Sequence, residues 1–176
     1  MDKEIFDVVN LSDEVVGRAS RIEVHKDDLY HRAVHIMVSP SPNQWILQKR
    51  SAFKDVDPLL WTSSCSGHVD FGEHYMDAAV RECYEELGIE TECKSLIEIF
   101  RASHCKETGY EFVRFYLLKY QKIINFNADE VLQIKEFSLG QVEQLIKKTP
   151  QVFSCSFIHL FPFLKKGVKL NEGRLT

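Results

Sequence analysis

No apolar run in this chain approaches the roughly 20 residues that a membrane-spanning helix needs. Its first residues, Met1-Asp2-Lys3-Glu4, also lack the apolar stretch of a secretory signal. Repeats, low-complexity tracts and Pro/Gly-rich linkers are missing too; eight glycines and five prolines are scattered through 176 residues. That continuity predicts one domain over residues 1–176, long enough to bury a sizeable core. Nor is there an excess of positive charge. Twenty-two Lys and Arg against 26 Asp and Glu give a formal net charge of −4, which offers no general attraction to nucleic acid or to an anionic membrane. Small phosphorylated ligands remain compatible, because a bound cation neutralises their charge locally. The five cysteines (Cys65, Cys83, Cys93, Cys105, Cys155) are odd in number and lack a CxxC spacing. They are expected to be reduced thiols in a cytoplasmic protein, with Cys83, Cys93 and Cys155 serving as small buried hydrophobes.

What is present is a sequence of alternating strand and helix signals. Phe6 to Val9 and Val15 to Ala19 flank the turn-forming Ser12-Asp13 and predict an N-terminal hairpin within residues 5–20. A short helix over 21–28 and a buried strand over 33–38 follow. Pro40 to Pro42 then turns the chain back into a strand at 45–48. Further strands are expected near 95–101, 111–120 and 131–137. Closing helices are expected over 139–148 and 152–164, the second bent or interrupted at Pro162. The strongest helical signal covers 74–87, where Met76, Val80, Cys83 and Leu87 form one apolar stripe and Gly88 stands where a C-terminal cap belongs. This order of elements predicts an α/β fold, a mixed β-sheet sandwiched between α-helices.

The same helix carries Glu82, Glu85 and Glu86 at spacings that crowd three carboxylates together, roughly opposite the stripe. For an arbitrary Glu-rich helix, a solvated acidic face would be favoured by roughly nine to one. The neighbouring residues reverse that prior. Gly67 is followed after five residues by Glu73, and seven residues later by Arg81-Glu82-Cys83-Tyr84-Glu85-Glu86-Leu87-Gly88-Ile89. Seven fixed identities at these spacings would arise by chance about once in 10⁸ positions, taking each residue type at about 7% usage. The segment 67–89 resembles the Nudix box, and the departure is Cys83 at an aliphatic position.

That resemblance implies a Nudix fold and a metal-dependent hydrolase acting on a diphosphate bond. It implies that Glu82, Glu85 and Glu86 hold the metal, with the Gly67 carbonyl as a further ligand. Oxygen ligands of this kind suit Mg²⁺ or Mn²⁺. Arg81 is expected to grip Glu73 or one of the helix trio in a bidentate pair. A further carboxylate acts from outside the helix in this family. Glu130, in Asn127-Ala128-Asp129-Glu130, is preferred as general base over Glu111.

Beyond the box, residues 5–165 resemble the branch that contains isopentenyl diphosphate isomerase and its hydrolase-like relatives. The resemblance rests on Tyr30-His31-Arg32-Ala33, Gln48-Lys49-Arg50, Leu60-Trp61-Thr62-Ser63-Ser64 and Gly67-His68. The isomerase has a cysteine directly before that Gly-His. Here Ser66 holds the position and Cys65 is one residue early, which in a strand turns its side chain to the other face. The isomerase's His-rich metal site is matched by His31 and His68, by His25 with altered spacing, and by Glu111, which has Gly109 where an acidic partner would stand. The broken pattern beside a complete box favours a hydrolase over an isomerase, and the intact metal carboxylates Glu82, Glu85 and Glu86 disfavour a metal-free binding module. His31, His68 and Glu111 are placed with Lys49 and Arg50 as candidate substrate contacts, with structural roles for the histidines and a surface role for the cations as the alternatives. Phe53, Trp61 and Phe71 are either base-stacking or core aromatics. The expected partner is a phosphorylated small molecule, with homodimerisation left open.

Overall fold

The computed structural model describes residues 4–171. A two-stranded hairpin comes first, β1 (Ile5–Val9) paired antiparallel with β2 (Val15–Ser20). Its turn is held by the Asn10 side chain, which accepts hydrogen bonds from the backbone N–H groups of Ser12 and Glu14. Helix α1 (Arg21–Lys26) starts at a capping box in which Ser20 and Glu23 bond each other's backbone. There follow β3 (His31–Ser41), β4 (Gln44–Arg50), β5 (Trp61–Thr62), β6 (Cys65–His68), α2 (Tyr75–Leu87), β7 (Leu96–Ala102), β8 (Glu111–Lys119), β9 (Val131–Phe137), α3 (Leu139–Lys148) and α4 (Cys155–Leu170).

Strand β3 is the spine of a seven-stranded mixed sheet. One edge runs parallel to β8 from His31 to Ser39. The other edge is divided: β6 pairs with Ala33 to Ile36, and β4 takes over from Val38. Outer strands β9 and β5 lie on β4, and β7 lies on β8. Because side chains alternate along a strand, β3 feeds two cores. Val34, Ile36 and Val38 pack against Ala78, Ala79, Cys83 and Leu87 of α2. Ala33 and Met37 face Val142 of α3 and Phe157, Leu160, Phe161 and Leu164 of α4. Helices therefore cover both faces, as expected, and each fully buried Leu or Phe contributes roughly 1.5–3 kcal/mol.

Three expectations need correction. In α2, Cys83 and Leu87 are fully buried and Gly88 caps the helix at φ 62°, but Met76 and Val80 sit at the rim. The small Ala78 and Ala79 let the helix lie close on the sheet, and Glu82 and Glu86 follow Ala79 onto the covered face. These two carboxylates are 8% and 2% exposed, so only Glu85 belongs to a solvated face. Helix α4 begins at Ser154, whose hydroxyl accepts from the Phe157 N–H, and runs unbroken through Pro162 to Leu170. The ring costs about 3 kcal/mol in a helix interior; burial of Phe157, Leu160, Phe161, Leu164 and Val168 on the sheet outweighs it. Finally, Cys83 is buried but Cys93 and Cys155 are exposed, one on a 3-10 turn and the other in the first turn of α4.

Candidate active site

A cavity of about 520 Å³ opens where α1, β6, α2 and the 51–60 loop meet. One flank is lined by Arg50, Lys54, Glu82, Glu85, Glu86 and Glu130, the other by His25, His35, His68 and Glu111.

Arg81 organises the first flank. Its Nε and Nη2 grip the two oxygens of Glu73 at 3.0 and 2.9 Å, Nη1 reaches Glu82 at 2.6 Å and Glu85 at 3.0 Å, and Nη2 also donates to the His68 carbonyl at 2.8 Å. The bidentate partner is thus Glu73, and the same guanidinium fixes two of the helix trio. Glu86 points elsewhere, with Oε2 accepting from Gln48 Nε2 at 2.6 Å and from the Ser66 N–H at 3.1 Å. Its Oε1 is buried without a hydrogen bond; the nearest cation is Lys54 Nζ at 3.6 Å. Burial first, and then the neighbouring Glu86, pushes the Glu82 carboxyl up to about 8. Burial likewise raises Glu86 above the usual range, against the pull of Lys54. Gly67 is required here by contact. A Cβ on it would stand 2.0 Å from Glu82 Oε1, so any side chain would displace that carboxylate.

The second flank gathers three histidines from separate elements: His25 of α1, His31 of β3 and His68 of β6. Their ring centroids are 5.1 to 5.3 Å apart. His31 Nδ1 bonds the Leu29 carbonyl at 2.8 Å, which places its proton there and leaves Nε2 bare toward the cluster. Arg21 Nη1 donates to His68 Nδ1 at 3.1 Å, so the His68 proton sits on Nε2, facing Glu111 Oε1 at 3.1 Å. The Nε2 atoms of all three rings are buried without a hydrogen bond. Burial lowers His31 to about 4 and His68 to about 3, so both are neutral near pH 7. Burial also raises the carboxyl of Glu111.

Among the described residues, two clusters bring three ligand atoms within 4.8 Å of one another: His25, His31 and His68, and, elsewhere, Cys105, Glu107 and His159. The helix trio is not one of them, since Arg81 holds Glu82 and Glu85 while Glu86 faces Gln48. The donors nonetheless fit a hard divalent cation: an orphaned buried carboxylate oxygen, two raised carboxyls, and a glycine cradle that a Cβ would fill. The histidine flank fits a borderline metal through His25 and His31, with Glu111 Oε1 3.7 Å from His31 Nε2. His68 can join only if Arg21 releases its Nδ1.

Other expected contacts divide. Arg50 lines the cavity, with its Nε donating to the Val56 carbonyl at 3.0 Å. Lys49 does not line it, because strand alternation puts Gln48 and Arg50 on one face and Lys49 on the other. His31 lies fully buried behind the cavity wall. Glu130 is on the rim and ion-paired with Lys54, a residue that no periodicity in the sequence singled out. Trp61 packs on the core against Phe137, whereas Phe53 (85% exposed) and Phe71 point away from the cavity lining. Ser66 lines the cavity, while Cys65 is buried with its Sγ 3.7 Å from that of Cys83, and burial raises its thiol well above the usual range.

The NUDIX domain model matches residues 29–155. The chain belongs to the NUDIX domain family. It is 31% identical over 156 residues to isopentenyl-diphosphate Delta-isomerase 2 of Photorhabdus laumondii, covering 88% of each chain. It is 30% identical over 171 residues to an uncharacterized Nudix hydrolase of Clostridium acetobutylicum, covering 90% of this chain and 82% of the other. Among solved structures, DR0079 from Deinococcus radiodurans superposes with a TM-score of 0.72 at 27% identity, over 83% of this chain and 90% of that one. An Ap4A hydrolase of C. elegans shares the fold at a TM-score of 0.56 and 21% identity, over 81% of this chain and 99% of that one.

Proposed function

We propose that the protein is a metal-dependent Nudix hydrolase that cleaves a diphosphate bond in a nucleoside diphosphate derivative or another phosphorylated small molecule. The observation that carries this reading is the pair of buried carboxylates, Glu82 and Glu86, both raised by burial, beside the Gly67 cradle. Glu82, Glu85 and Glu86, with the Gly67 carbonyl, would hold Mg²⁺ or Mn²⁺. Such an ion, when bound, neutralises charge on the diphosphate and makes water a better nucleophile. Arg81 keeps Glu73, Glu82 and Glu85 in register, and a bound ion would draw Glu82 and Glu85 from it toward Glu86. Arg50 and Lys54 offer cationic groups to phosphate oxygens at the cavity wall. Glu130 accepts the proton of the attacking water once Lys54 turns from it to the substrate.

A second reading is an isopentenyl-diphosphate-isomerase-like activity. The assembly of His25, His31, His68 and Glu111 favours it, as does the Photorhabdus relative. Against it stands the side chain at the cavity wall, a Ser66 hydroxyl, with the one nearby thiol turned into the α2 core. The deciding experiment incubates the protein with Mg²⁺ or Mn²⁺ and a panel of nucleoside diphosphate derivatives, nucleotide sugars, dinucleotides and isopentenyl diphosphate. Release of phosphate or a monophosphate is expected. Dimethylallyl diphosphate formed at enzyme-like rates, without hydrolysis, would overturn the hydrolase reading.

A further inference from the structure

We propose that Cys105, Glu107 and His159 form a zinc(II) site that clamps the β7–β8 connection to helix α4, outside the cavity. Cys105 and Glu107 lie on the 3-10 turn Lys106–Thr108 and its first flanking residue, and His159 lies in the N-terminal half of α4. The three ligand atoms lie within 4.8 Å of one another, and none of the three residues lines the cavity.

Geometry favours zinc in particular. Cys105 Sγ is 3.5 Å from His159 Nε2. For a tetrahedral ion bound about 2.3 Å from sulfur and about 2.05 Å from nitrogen, the sulfur–nitrogen edge is about 3.6 Å. The two stronger donors therefore already stand at the spacing of a zinc tetrahedron, and only the exposed Glu107 carboxylate needs to swing in. A thiolate, an imidazole and a carboxylate are a borderline-soft set, which selects zinc over Mg²⁺ and Mn²⁺. Cys105 and His159 are half-buried and Glu107 is exposed, so an ion enters from solvent and water completes the fourth position. Binding replaces the Cys105 S–H bond with a sulfur–metal bond and releases the thiol proton to solvent.

The turn is prepared for this. Thr108 Oγ1 donates to the Cys105 carbonyl at 3.1 Å, also lies 3.3 Å from the Glu111 carbonyl, and the Tyr110 N–H donates to the Cys105 carbonyl at 2.8 Å. The metal would thus pin the turn that delivers Glu111, the carboxylate of the histidine flank, into the cavity wall. The bland reading is a thiol–imidazole hydrogen bond beside a solvated glutamate, and it predicts no metal signature.

The test is cobalt titration of the full chain after chelator treatment. Any cobalt taken up by the histidine flank would not interfere, because only a thiolate ligand gives the near-ultraviolet sulfur-to-cobalt charge-transfer band. That band is expected in the wild type, unchanged by excess Mg²⁺ and bleached by Zn²⁺. Cys105→Ser should abolish it, His159→Gln should weaken cobalt binding at the thiolate by at least an order of magnitude, and Cys93→Ser and Cys155→Ser should leave it intact. Circular dichroism checks that Cys105→Ser folds; if it does not, His159→Gln, which keeps every thiol, decides alone. No band in the wild type, a band that survives Cys105→Ser, full affinity in a folded His159→Gln, or loss of the band in Cys155→Ser would each overturn the site.

Discussion

On the α2 side of the cavity, two cations are shared among six carboxylates: Arg81 touches Asp70, Glu73, Glu82 and Glu85, and Lys54 touches Glu86 and Glu130. On the α1–β3 side, three imidazoles cluster beside one carboxylate, Glu111, and burial holds two of them, His31 and His68, neutral. Burial raises the Glu82 and Glu86 carboxyls of the first flank, which favours protons there that a divalent cation can replace. On the second, burial lowers His31 and His68, and His31 presents a bare Nε2. One cavity therefore offers a hard, anionic wall and a softer wall that is neutral at His31 and His68.

The largest expected effect tests the anionic wall. Glu86→Gln keeps the shape and the bond from Ser66 but removes the charge, so turnover at saturating Mg²⁺ should fall by about 10³-fold or more. The metal-free variant should melt no lower than the wild type, because burial already disfavours the charged form of Glu86 that the amide removes. Turnover within tenfold of normal would erase the contrast between the flanks. Next comes the proton acceptor. Glu130→Gln should reduce kcat by about 10²–10⁴-fold with little change in KM. If Glu111→Gln does this instead, the base belongs to the histidine wall. Arg81→Lys, which loses the bidentate grip on Glu73 while keeping a cation, should weaken Mn²⁺ binding by roughly 10–100-fold.

Opposite pKa shifts on the two walls give opposite pH dependences. His31 and His35 are lowered to about 4 and His68 to about 3, all by burial first. The unfolded chain binds those protons below about 6.5 and the folded chain does not, so this contribution is complete above that pH and is lost as pH falls toward 4. Glu82, raised from 4.5 to about 8, works in reverse. Its folded form keeps a proton that the unfolded form has released, so its contribution is complete below 4.5 and is lost as pH rises through about 8. Thermal unfolding in chelator, followed from about pH 4 to 9, should show both arms. Saturating Mn²⁺ should cancel the alkaline arm alone; an unchanged alkaline arm would place the metal elsewhere.

Much of the fold and of the box is legible in the sequence. The box depends on local spacing, and β9 and α3 carry clear local periodicity, so both matched their expected bounds. What escaped depended on tertiary placement. The two-residue β5 and four-residue β6 are too short to show a period. The burial of Glu82 and Glu86 follows from how closely α2 lies on the sheet. The family resemblance matches His25 to His31 and His68 with altered spacing, and the three rings do meet; their distances depend on where α1 packs and are not readable from the spacing. Lys49 was a different kind of miss, since parity along β4 with Gln48 and Arg50 already placed it on the wrong face.

The smallest expected effect sharpens the comparison most, because it asks whether the neutral wall is active without the thiol. Ser66 touches both walls: its N–H holds Glu86, and its residue pairs with His35 across β6 and β3. Ser66→Ala keeps that N–H, so diphosphate hydrolysis should change by less than about threefold, the scale of a mutation that removes no charge-assisted contact. Ser66→Cys puts a thiol, with an ordinary pKa of about 8.5, at the cavity wall. It should leave hydrolysis intact and produce no dimethylallyl diphosphate from isopentenyl diphosphate, because Gly109 stands where an acidic partner of Glu111 is expected and His68 is held by Arg21. Product analysis on Ser66→Cys, with and without Arg21→Ala, reads this out. Isomerisation gained by Ser66→Cys alone would show that the histidine wall is a complete site lacking only its thiol, and that the two walls differ by one residue rather than by design.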